Sequence, residues 1–122
     1  MPAYYYLLKA EKQQEIVKLN SCQSSLQGVQ GEFQQNTDKC LEPELTLKTW
    51  HGNHATNFDN IREAGIHMPY VEIAGAQFAK VYDAIAKKIA ALQLEIEAIQ
   101  RIIDRILAEQ AARAAEAAKS AQ

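Results

Sequence analysis

The residues of this chain that could do chemistry are three histidines, two cysteines and a few carboxylates. His51 and His54 lie three positions apart, and His67 follows further along the chain. A protein metal site usually needs three or four ligands at suitable spacing. The loose histidine pair therefore predicts hydrogen bonding in a loop, with no metal and no cofactor.

Asp59, Glu63 and His67 recur at helical spacing and could share one face. Catalysis needs such groups to be positioned in a cleft, and charged residues spaced in this way are typical of a solvated helix face. Cys22 and Cys40 show no nucleophile pattern with a nearby base. The sequence predicts that the protein is not an enzyme.

The two cysteines also carry information about the compartment. On one straight helix, Cys22 and Cys40 would lie roughly 27 Å apart, whereas a disulfide needs Cα atoms within about 7 Å. They are predicted to be small packing residues of a protein made in a reducing cytoplasm. Export through a specialised pathway remains an alternative, because the N-terminus shows no conventional secretory signal.

The overall composition narrows the class of partner. The formal net charge of −2 gives no electrostatic reason to expect binding to nucleic acid or to an anionic membrane. No apolar run approaches the roughly 20 residues that span a bilayer. Only five glycines and three prolines occur in 122 residues, which favours long helices.

A first helix is predicted over residues 3–42. Pro2 suits a helix start, and Pro43 pushes Glu42 out of the helical region. Gly28 and Gly31 are either tolerated inside this helix or allow a partner backbone to come close. One apolar stripe runs along it: Ile16, Leu19, Cys22, Leu26, Val29, Phe33 and Cys40.

A second helix is predicted over residues 54–119, with Asn53 as its N-cap. Pro69, one turn after Gly65, predicts a kink or short break near residues 65–70. Spacings of three and four over many turns are typical of a coiled-coil seam. The stripe begins at Phe58, Ile61, Gly65 and Met68, and it continues through Glu72, Gly75, Phe78, Tyr82, Ile85, Ile89, Leu92, Ile96, Ile99, Ile103 and Ile106.

Together these elements predict a single all-α domain over residues 1–122, an antiparallel helical hairpin with its turn at residues 43–53. The second helix is much longer than the first, so a simple hairpin would leave Ile96, Ile99, Ile103 and Ile106 without intramolecular cover. Exposed isoleucines in a row are unfavourable. The chain is therefore predicted to need a partner for this seam, which also includes Leu19, Leu26 and Phe33.

The predicted turn contains a motif, W-x-G-x-x-A-x-x-F, formed by Trp50, Gly52, Ala55 and Phe58. Trp50 can pin a loop across helix ends, and Gly52 permits a left-handed backbone where the chain reverses. Ala55 allows close helix approach, and Phe58 is predicted to start the seam of the second helix.

These residues between two long helices resemble the WXG superfamily of small type VII secretion proteins. The segments YYYLLK, LNSCQSSLQG and KCLEPEL, with FDNIRE after the motif, are similar to the YwqH-like family. The resemblance implies a non-enzymatic targeting chaperone or adaptor that binds the helical N-terminal LXG domain of a secreted polymorphic toxin in Gram-positive bacteria. It also implies a second small helical companion and contact with the type VII secretion machinery.

Two features leave the route and the assembly open. The export pattern Y-x-x-x-[DE] does not occur after Tyr70 or Tyr82, since Ala74 and Ala86 stand at the acidic position. The chain is thus expected in the cytoplasm, or to be exported with a partner that supplies the signal. The alternative hypothesis is a self-sufficient homodimer, a four-helix bundle that is itself a secreted substrate or a structural protein.

Overall fold

The computed structural model describes residues 2–42 and 52–121, and within these two ranges it contains helices and no strand. The all-α class is therefore confirmed for the described chain, whereas the proline kink and the coiled-coil packing stay predictions. The helices are α1 (Ala3–Gln35), a 3₁₀ turn (Thr37–Leu41), α2 (Asn53–Arg62), α3 (Met68–Glu72) and α4 (Phe78–Ser120). Two π-helical turns, Glu63–His67 and Ile73–Gln77, join α2, α3 and α4.

The first helical stretch loses its α-helical form before the predicted stop. The Asn36 side chain donates to the Glu32 carbonyl at 2.8 Å, and the Thr37 hydroxyl donates to the Phe33 carbonyl at 3.2 Å. Such side-chain bonds compete with the helix, and the chain continues as a 3₁₀ turn. Glu42 is extended, with φ −90° and ψ 144°, as predicted for a residue that precedes proline.

The second helical stretch begins at Gly52. This residue has φ 85° and ψ −161°, a conformation that only glycine adopts easily. Its predicted role in reversing the chain stays a prediction. The predicted N-cap was wrong by one position, because Asn53 is the first residue of α2 and Gly52 occupies the cap.

The two π turns change which face of the second stretch is buried. A π turn contains more residues than an α turn, so a stripe extrapolated at α-helical spacing drifts off the buried face. Phe58, Ile61, Gly65 and Met68 are exposed, which corrects the prediction that they begin the apolar seam. The positions that face inward there are Ala55, Arg62, Tyr70 and Ala74.

The chain divides into two compact units: unit 1 consists of Met1–Ser21 and Ile85–Gln122, and unit 2 of Cys22–Ala84. Pairing is antiparallel within each unit. In unit 1, Lys9 lies against Gln100 while the later Lys12 lies against the earlier Glu95.

The core of unit 1 corrects the prediction of an uncovered seam. Ile103 is 0% exposed and Leu92 1%, and Ile99 is buried as well. Pairing that began directly after a turn ending at Asn53 would place Lys12 beside Ala84. Lys12 lies beside Glu95 instead, about three helical turns further along. Within unit 1, α1 therefore covers Ile99 and Ile103, and Ile96 and Ile106 are half-buried.

Candidate interaction surface

An aromatic cluster holds the two helical stretches of unit 2 together. The Phe33 ring stacks on Tyr70, with centroids 5.2 Å apart, and meets the edge of Phe78 at 5.7 Å. Phe78 in turn lies 6.3 Å from Tyr82. Aromatic pairs at these distances stabilise packing by about 0.5–1.5 kcal/mol beyond their buried area.

A polar contact lies beside this cluster. The Gln30 amide nitrogen donates to the Ala74 carbonyl at 2.9 Å, and the Tyr82 hydroxyl donates to the Gln30 amide oxygen at 2.8 Å. Gln34 reaches the same carbonyl at 3.5 Å. Ala74 itself is buried inside the second π turn.

The rotation of α1 differs from the predicted apolar stripe. Gln23 and Gln30 are half-buried, whereas Cys22 is exposed and Val29 remains 43% exposed. The predicted stripe follows hydrophobicity alone, and valine and cysteine are buried more often than glutamine. Within unit 2 this part of the prediction was wrong.

An open apolar groove lies between α1 and the second helical stretch of unit 2. It has a volume of about 190 Å³ and is lined by Leu26, Ile73, Gln77, Phe78 and Val81. Ile73 and Val81 are 43% and 44% exposed. The lining contains no charged side chain among the described residues. Ile73 and Val81 stand eight residues apart and outside the predicted apolar stripe.

Unit 1 has a groove of different character. It has a volume of about 290 Å³ and is lined by Glu15, Lys18, Leu19, Lys88 and Leu92. Charges of both signs border the apolar floor there. An apolar helix face would have to desolvate these charges in order to dock, which is unfavourable.

The ion pair of unit 1 joins Lys12 to Glu95 at 2.8 Å. The hydrogen bond from the Lys12 ammonium holds the pKa of the Glu95 carboxyl below its ordinary value, and the same bond raises the pKa of Lys12. Charges beside a seam help to choose helix pairing and register. In this chain the ion pair joins α1 to α4 within unit 1.

The residues of the predicted turn motif differ in their burial. Trp50 lies outside the described residues, as does His51. Ala55 is buried, and the exposed Phe58 ring lies beneath the Arg62 guanidinium, 5.2 Å from its centroid. The function predicted for this motif stays a prediction.

The candidate chemical residues form local pairs. His67 Nδ1 lies 2.9 Å from the Glu63 carboxylate one helical turn earlier, and Asp59 forms an ion pair with Arg62 at 2.7 Å. In residues 2–42 and 52–121 no group of three or more histidine, cysteine or acidic residues could hold a metal ion. No helix in the part of the chain that the structure describes combines the length and apolar character needed to cross a bilayer.

The predicted partner-binding residues are buried or half-buried within their own units. Those of unit 1 are Leu19, Ile85, Ile89, Leu92, Ile96, Ile99, Ile103 and Ile106, and those of unit 2 are Leu26, Phe33, Phe78 and Tyr82. Whether a partner contacts any of them stays a prediction.

Comparisons with known proteins give one match. No curated protein and no solved structure matches the chain. The family model described as YwqH-like matches residues 9–111, which include most of α1 and of α4. The chain therefore belongs to the YwqH-like family.

Proposed function

We propose that this protein is a non-enzymatic adaptor that binds the N-terminal helices of an LXG-type polymorphic toxin and supports the export of that toxin by type VII secretion. The observation that carries the proposal is the open, uncharged apolar groove of unit 2, in a chain of the YwqH-like family. The proposal does not rest on the isoleucines from Ile96 to Ile106, because Ile99 and Ile103 are buried in their own unit and Ile96 and Ile106 are half-buried.

The chemistry of the groove favours an apolar helix face as its occupant. A helix presents side chains at positions i and i+4 as a ridge, and the groove offers Leu26 from α1 opposite Ile73 and Val81. An uncharged lining imposes no desolvation cost on such a ridge. Helix-in-groove recognition of this kind is a common mode of peptide binding.

The strength of binding sets the size of the partner. Full burial of one such side chain is worth about 1.5–3 kcal/mol, and Ile73 and Val81 are already about half-buried, so the groove alone contributes about 1 kcal/mol from each. A micromolar complex needs roughly 8 kcal/mol. The partner must therefore extend beyond the groove, and unit 2 exposes further apolar residues for such a contact: Ile61, Ile66 and Val71. A long helix meets that requirement.

The test is co-expression with the N-terminal helical region of the LXG toxin encoded beside this protein. We expect the two proteins to co-elute from a sizing column at micromolar concentration. Ile73→Asp and Val81→Asp should each weaken the complex at least about tenfold, because a charge would be buried in the groove. Leu94→Asp is the matched control, because Leu94 is 65% exposed and lies in unit 1.

Separate elution of the two wild-type proteins would refute the proposal, and so would equal binding by the groove variants and the control. Light scattering on the isolated protein tests the homodimer alternative. A stable dimer that ignores the toxin would favour that alternative.

A further inference from the structure

The part of α1 that belongs to unit 2 does not turn its most hydrophobic face inward. Cys22, Leu26, Val29 and Phe33 recur at spacings of four, three and four and would form a continuous apolar stripe. The structure turns Gln30 inward and leaves Val29 and Cys22 at the surface. Some interaction must offset the apolar burial that is lost.

The hydrogen bonds of Gln30 provide that interaction. Both ends of its amide are bonded: the nitrogen donates to the Ala74 carbonyl, and the oxygen accepts from the Tyr82 hydroxyl. The acceptor and the donor both belong to the second helical stretch, so the two bonds fix the angle of α1 as well as its register. A polar residue at a seam position is known to fix helix pairing at some cost in stability.

The small side chain of Ala74 makes this contact possible. Ala74 is buried in the second π turn, directly opposite Gln30. A larger residue at this position would separate the glutamine from the backbone carbonyl. The position therefore combines a reachable carbonyl with close approach of the two helices.

We propose that Gln30 sets the rotation of α1 in unit 2 and thereby places Leu26 in the wall of the apolar groove. Leu26 and Val29, three residues apart, lie on one flank of α1. If α1 turned so that Val29 and Cys22 faced inward, Leu26 would be displaced from its present position in the groove wall and Val29 would move towards that position. The use of the groove for docking rests on the proposed function, whereas the rotation itself does not.

Thiol labelling tests the rotation. Cys22 is an exposed free thiol, and a Cys40→Ser background makes it the single reactive group. In the wild-type rotation Cys22 should react rapidly with a small aromatic disulfide. Gln30→Ala removes both hydrogen bonds, so α1 should turn and labelling of Cys22 should slow on the order of tenfold.

Gln23→Ala is the matched control. Gln23 is half-buried one heptad before Gln30, and within the described residues it makes neither of these hydrogen bonds. Its substitution should leave the labelling rate unchanged. Equal labelling rates for Gln30→Ala and Gln23→Ala would overturn the proposal.

Tyr82→Phe keeps the test decisive if Gln30→Ala does not fold, as judged by circular dichroism. This conservative change removes the single bond to the Gln30 oxygen, and labelling of Cys22 should slow about fivefold. An unchanged rate in a folded Tyr82→Phe protein would overturn the proposal.

Binding measurements separate the two proposals. If labelling slows while affinity for the LXG helices stays at the wild-type value, Gln30 does set the rotation and docking in the groove is refuted. If both decrease together, the rotation controls access to the docking surface.

Discussion

Substitution of Ile103 by alanine should destabilise the free chain by about 2–4 kcal/mol, which lies within the range measured when buried large aliphatic side chains are replaced by alanine. Ile103 is 0% exposed in unit 1, so the substitution removes its whole buried apolar surface and leaves a cavity. The better helix propensity of alanine offsets only a few tenths of a kcal/mol. A domain of this size typically has about 5–15 kcal/mol of total stability, so the effect is a large fraction of the whole.

Urea unfolding followed by far-ultraviolet circular dichroism measures this effect. The midpoint should fall for Ile103→Ala, and the thermal midpoint should drop by about 10 °C or more. Leu94→Ala is the matched control on the same helix, because Leu94 is exposed and exposed substitutions usually change stability by less than about 0.5 kcal/mol.

The comparison decides whether the end of the α4 seam is covered by its own chain. If Ile103→Ala were as stable as Leu94→Ala in the isolated protein, intramolecular cover of the isoleucines would be refuted. The seam would then again be available to a partner, as the lengths of the two predicted helices had indicated.

The remaining predictions concern two glycines and one ion pair. Gly28→Ala should stabilise the protein by about 0.5–1 kcal/mol in urea unfolding, because among the described residues no atom lies within 4 Å of an added Cβ. Gly52→Ala should destabilise it by about 1–3 kcal/mol in the same assay because of the positive φ; equal signs for the two substitutions would contradict this reasoning. The pKa of the Glu95 carboxyl is lowered in the folded protein. Its contribution to stability is therefore present above the ordinary pKa of 4.5 and is lost as the pH falls through the lower pKa of the folded state. The pKa of Lys12 is raised, so its contribution to stability is present below pH 10.5 and is lost as the pH rises through the pKa of the folded state. The wild type should therefore be more stable than Glu95→Gln at pH 7 in urea unfolding. This difference in stability should shrink in acid below pH 4.5 and in 1 M salt. A constant difference from pH 7 to pH 3 would argue against the ion pair.

Local signals predicted the helical class, the inner face of α4 and the backbone conformation at two residues. The apolar spacing from Phe78 to Ile106 predicted the inner face of α4, because no proline or glycine interrupts that run. Pro43 predicted the extended Glu42, and Gly52 predicted the positive φ. Each of these properties depends on a residue and its close neighbours along the chain.

The parts that failed depend on distant contacts. The amide of Gln30 meets the carbonyl of Ala74, which is 44 residues away, so no local pattern shows that a glutamine faces inward. The groove at Ile73 and Val81 is completed by Leu26, which comes from a distant part of the chain. Upstream of Phe78, the two π turns shift the buried face in a way that a constant period does not anticipate.

The sequence by itself therefore determined that this chain is helical, where its apolar seam runs in α4 and to which family it belongs. Helix formation and hydrophobic periodicity arise from interactions over a few residues, and these can be read directly. Only the tertiary structure decided that α1 covers Ile103 and that an apolar groove stays open in unit 2. Register and rotation result from competition between apolar burial and a few specific polar contacts, and the partners in those contacts are identified only once the helices are paired.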